Sequence, residues 1–111
     1  MREIKIGEKL YKIHYGQNAI CSLEDELNEG IAEIYTRFTE QRIHMKDIRA
    51  LIWAGMLKDN RDITPEALGD LCDAAGVRFS DLLGDCIEEL NQSFSRMIPD
   101  VDNNDEKSKK K

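Results

Sequence analysis

The sequence predicts an α+β fold that is mainly helical: an N-terminal β-hairpin, then four to five short helices around one core. Three observations carry this expectation. Residues 3–15 alternate apolar and polar on both sides of a glycine turn. From Asn18 onward the apolar spacing switches to the period of a helix. A chain of 111 residues has room for one modest core. The domain is expected over 1–98, with 99–111 as a disordered charged tail.

In the hairpin, Ile4 and Ile6 stand between Glu3 and Lys5, and Tyr11, Ile13 and Tyr15 alternate with Lys12 and His14. Period two around Gly7-Glu8-Lys9 reads as two strands and a turn. A lone hairpin is marginal in water, so it should lie on the helices. A first helix is expected near 18–29, capped by Asn18 and lined by Ala19, Ile20, Leu23 and Leu27, with Gly30 as its stop. Ile31, Ile34, Tyr35 and Phe38 suggest a short second helix, followed by a polar loop over 39–44.

The stretch 45–58 is the most apolar helix. Ile48, Leu51, Ile52, Met56 and Leu57 cover more than half of its circumference, and Trp53 falls on another face. Such a helix is central or buried against a partner. The next, near 64–75, carries Thr64 as N-cap, Pro65 at the first helical position and Glu66 at the positive end of the dipole. Leu68, Leu71, Cys72 and Ala75 form its inner stripe and Gly76 ends it. Ser80 is read as the cap of a last helix to residue 97, with Leu83, Cys86, Ile87, Leu90, Phe94 and Met97 at helical spacing. The segment 100–111 holds one aliphatic residue, Val101, and ends in three lysines. It buries too little to offset its ordering entropy.

Charge and chemistry narrow the function. The formal net charge of −6 disfavours nucleic acid and anionic membrane and suits a basic protein segment. No apolar run is long enough for a signal peptide or a membrane span. Cys21, Cys72 and Cys86 are odd in number and widely spaced, so no disulfide framework is expected. With His14 and His44 they form no close ligand pair, so no metal or cofactor is expected. Ser22 and Ser80 lack a nucleophile elbow, and the carboxylates lie on outward helical positions. No enzyme is expected.

One alternative is a small helix-turn-helix DNA-binding regulator, because 63–83 has the helix, glycine turn and capped second helix of that motif. Between 62 and 90, however, Asp62, Glu66, Asp70, Asp73, Asp81, Asp85, Glu88 and Glu89 stand against Arg78 alone. A recognition helix approaching phosphates would meet repulsion. What remains is protein interaction, with Trp53, Met56 and Leu57 as candidate contacts and Met45 beside them.

Three segments resemble the tail assembly chaperones of long-tailed phages, in the branch related to gene-transfer-agent tail proteins. They are residues 18–27 (Asn-Ala-Ile-Cys-Ser-Leu-Glu-Asp-Glu-Leu), 48–56 (Ile-Arg-Ala-Leu-Ile-Trp-Ala-Gly-Met) and 62–76, from Asp62-Ile63-Thr64-Pro65 to Gly76. The likeness runs over about 3–97, and none of the three is a catalytic signature. The resemblance implies a protein that holds the tape measure protein while tail tube subunits polymerise around it. It implies action in the cytoplasm of a bacterial host, absence from the mature virion, and self-association in some members. It also implies tube subunits as further partners and, in many members, a longer frameshifted product; an acidic domain with an exposed apolar helix face suits a helical client.

Overall fold

The computed structural model describes residues 2–97, with side chains given through Ser95. The expected disordered tail lies outside the described residues.

Two antiparallel strands open the chain, β1 (Arg2–Ile6) and β2 (Lys9–Ile13), paired from Arg2↔Ile13 to Ile6↔Lys9 across a two-residue turn. Ile4, Ile6 and Ile13 point into the core, while Glu3, Lys5, Leu10 and Lys12 face out. Five helices follow: α1 (Gln17–Leu27), α2 (Ile31–Thr39), α3 (Met45–Met56), α4 (Pro65–Ala75) and α5 (Phe79–Met97). The expected order of hairpin and helices is observed.

α3 is the hub. α1, α4, α5 and β2 all pack on it, and α4 and α5 also rest on β1. Leu51, Ile52, Ala54 and Met56 are fully buried. A helix apolar on nearly every side is stable only when neighbours cover it, and four elements do so here. The stripe that stays partly uncovered runs Met45, Arg49, Trp53 and Leu57, one residue per turn.

Gly55 shows how closely α3 is approached. A Cβ built there would lie 2.8 Å from Cζ of Tyr15. The Tyr15 hydroxyl donates to the Leu51 carbonyl at 2.6 Å, one turn earlier on α3. The His14 N–H donates to the Gly55 carbonyl at 2.8 Å. The end of the hairpin is thus stitched to the hub helix by ring packing and two hydrogen bonds.

The helix termini depart from the sequence reading at three places. Gly16, not Asn18, is the N-cap of α1, because the chain bends directly after Tyr15 is seated and the Ile20 N–H bonds the Gly16 carbonyl. Asn28, not Gly30, takes the left-handed conformation that ends α1, with φ 56°. Gly30 starts α2 instead, and the Glu24 carboxylate reaches across to accept the Ile31 N–H at 2.7 Å. At α5, Ser80 lies inside the first turn, while Asp81 accepts the Arg78 N–H at 3.1 Å.

α4 follows its punctuation. The Thr64 hydroxyl accepts the Ala67 N–H at 3.0 Å, Pro65 is the first helical residue, and Gly76 closes the helix at φ 71°. Leu68 and Cys72 are buried, whereas Leu71 and Ala75 are exposed, so the inner stripe is narrower than expected. Thr64→Ala should cost about 1 kcal/mol, the usual worth of an N-cap. Thermal denaturation measures it, and an unchanged midpoint would contradict the capping role.

Candidate functional site

The segment 63–83 forms helix, turn and helix, but its two helices pack chiefly on α3 and β1 rather than on each other. The solvent-facing positions of α5 include Ser80, Asp81, Gly84, Glu88 and Gln92. Arg78 is paired with Asp81 at 3.0 Å, and Arg2 reaches both Asp85 and Glu88. Among the described residues of this segment, no side chain presents a free cation to a phosphate.

Among the described residues no group of His, Cys, Asp or Glu is arranged to hold a metal. Cys21 is exposed. Cys72 and Cys86 are buried. Burial pushes the Cys86 thiol up to about 12, with Asp85 adding to the rise and the Tyr15 hydroxyl partly offsetting it. Burial raises Cys72 as well, helped by Asp73. Neither is poised as a thiolate nucleophile.

The three residues expected to contact a partner are not brought together. Met56 is fully buried, so it is a core residue with no surface to offer. It sits on the α3 face covered by neighbours, which the sequence pattern could not distinguish from an open one. Trp53 is half-buried, and its indole N–H donates to the Ile63 carbonyl at 2.8 Å, holding the loop before α4. Leu57 borders a different feature, an open polar cleft of about 580 Å³ shared with His14, Asn18, Cys21, Lys58 and Arg61.

A second depression has the chemistry that interaction requires. α2 packs mainly on α1 and stands off from α5. The gap between them is a groove of about 410 Å³. Leu83, Ile87 and Asn91 of α5 form one wall, Tyr35, Phe38 and Thr39 of α2 the other, and Gln41 and Ile43 close it from the loop before α3. Tyr35 spans the gap, its hydroxyl donating to Oδ1 of Asn91 at 2.7 Å and its ring meeting Phe94 edge-on at 5.1 Å. None of these lining residues is charged, in a chain of which 34% of residues are. Loss of charge at the centre of a patch is the compositional mark of a protein interface. The sequence shows Leu83, Ile87 and Phe94 only at helical spacing; in the structure they are half-covered, because α2 does not close over them.

An ion-pair network holds the α2 wall. Arg37 makes a two-pronged contact with Asp47 at 2.7 and 3.2 Å, bonds the Glu29 carboxylate and donates to the Arg42 carbonyl at 3.0 Å. Asp47 also accepts the His44 N–H at 2.7 Å, which caps α3. Burial alone would raise the Asp47 carboxyl. The Arg37 and His44 hydrogen bonds and the Arg37 charge outweigh it, so the carboxyl titrates below its ordinary value. The hydrogen bonds to Asp47 and Glu29 raise Arg37 in turn. The signal that could have pointed to Asp47 is its place three residues after the cap of α3, where an acid completes a helix start.

The charge of the chain is concentrated on this body. Four acidic residues and four lysines cancel within 98–111, so the whole net charge of −6 belongs to residues 1–97.

Two comparisons find nothing: no curated protein and no solved structure matches the chain. A family model does match, over residues 2–94, and its description is phage tail tube protein, GTA-gp10.

Proposed function

The chain belongs to the phage tail tube protein, GTA-gp10 family, and from that membership we propose that it is a non-enzymatic tail assembly chaperone. In this reading it binds the tape measure protein in the cytoplasm of a bacterial host and keeps it in order while tail tube subunits polymerise. It then leaves, and is not part of the mature virion. The observation that carries the reading is the uncharged groove between α2 and α5 on a body of net charge −6. An apolar recess in a strongly negative field attracts an apolar segment with basic neighbours and repels polyanions.

Co-purification with the tape measure protein of the same phage tests the proposal. A stable complex is expected, and absence of association with the chain confirmed folded would overturn it. The family description favours one other reading, a subunit of the tube itself. Mass spectrometry of purified particles separates the two: the chaperone leaves no peptides in finished tails, whereas a tube subunit is present in structural amounts.

A further inference from the structure

Resting on the chaperone reading, we propose that the α2–α5 groove is the docking site for one amphipathic helix of the client, with an apolar stripe facing in and basic residues flanking it. Both walls of the groove are helices whose backbone groups are already bonded within the helix. No strand edge is available there, so an extended segment would leave its own N–H and C=O groups without partners on entering an apolar recess. A helix carries its backbone hydrogen bonds with it.

The dimensions agree. The α5 wall runs from Leu83 through Ile87 to Asn91, two turns or about 12 Å at 1.5 Å per residue. That length receives side chains at i, i+4 and i+7 of an incoming helix. Nothing in the lining can pair with a charge inserted among Leu83, Ile87, Phe38 and Ile43, so the inserted stripe is uncharged. The body as a whole carries a net charge of −6, so the residues beside that stripe are lysine or arginine. A second copy of this chain fits poorly, because it would bring a body of net charge −6 against another of the same charge.

Binding of the full chain to the tape measure protein, and to overlapping peptides of about 30 residues that span it, should be measured by fluorescence titration. Two variants report on the groove. Ile87→Glu places a charge on its α5 wall, and Thr39→Arg blocks the exposed rim without touching the core. With folding verified by circular dichroism, Ile87→Glu should weaken the complex by about tenfold or more and Thr39→Arg severalfold. Rising salt should weaken it further. Wild-type affinity in both variants would overturn the groove while leaving the chaperone reading intact. If the wild type ignores the tape measure protein altogether, the chaperone reading fails. The groove is then decided by a designed peptide helix with a leucine stripe and lysine flanks: binding that both variants weaken supports it, and no binding overturns it. Concentration-dependent dimerisation of the wild type that Ile87→Glu abolishes would assign the groove to a second copy and also overturn the proposal.

Discussion

Arg37→Ala should destabilise the fold by about 3–5 kcal/mol, the usual result of removing one partner of a buried ion pair. The reason lies in what is left behind. Asp47 is only 1% exposed and takes two guanidinium N–H groups from Arg37, whose side chain is 13% exposed. Without Arg37 the carboxylate keeps only His44, through its N–H at 2.7 Å and its exposed imidazole 3.4 Å away, and no neutralising charge of comparable burial. For a domain near this size, thermal midpoints shift about 4–8 °C per kcal/mol, so a fall of about 15 °C or more is expected.

The pH dependence gives an independent reading. In the wild type the Asp47 carboxyl is depressed when folded, so its stabilising contribution is fully present above the ordinary value of 3.8 and is lost as pH falls toward the folded value. In Arg37→Ala, burial is no longer outweighed and the carboxyl moves up. The penalty is therefore largest at neutral pH and shrinks as the solution is acidified, because protonation removes the stranded charge. Thermal denaturation at a series of pH values checks both points. A loss under about 1 kcal/mol, or a gap that does not narrow on acidification, would show that the pair carries little of the fold.

Gly55→Ala is expected to destabilise by about 1–3 kcal/mol, although alanine is the better helix former. Two effects compete. Helix propensity favours alanine by about 1 kcal/mol in an exposed position. Here the new methyl would lie 2.8 Å from Cζ and 2.9 Å from the hydroxyl oxygen of Tyr15. The ring has no room to retreat: it is 1% exposed and tied to the Leu51 carbonyl. Overpacking against a fixed aromatic ring therefore wins. Valine at the same place should be worse, and adding Tyr15→Phe should restore only part of the loss, because the contact with Cζ remains. A midpoint at or above that of the wild type would mean that the hairpin yields more easily than its hydrogen bonds to α3 indicate.

Local chemistry made much of the fold legible. The alternation around Gly7 identifies the hairpin, and Thr64-Pro65-Glu66 with Gly76 brackets α4, because turns and caps act within a few residues. The misassigned termini share one cause. Asn18, Gly30 and Ser80 are good cap or stop residues in isolation, but seating Tyr15 against α3, the reach of Glu24 to Ile31 and the Asp81 bond to Arg78 decide where those helices begin and end. The site was harder to see. Trp53, Met56 and Leu57 lie on a helix that is apolar nearly all round, and only its neighbours decide that Met56 is interior. Leu83 and Ile87 have ordinary core spacing. That they line a groove follows from the distance kept by α2, which no periodicity records.

The hairpin has a consequence for solubility. A sheet of two strands leaves one flank of each strand without a strand neighbour, and such flanks invite pairing with foreign chains. The outward face of the ribbon carries Glu3, Lys5 and Lys12 around a single exposed apolar residue, Leu10, so a strand aligning there meets repeated charge that must be stripped of water. Those charges work against the hairpin seeding cross-β growth.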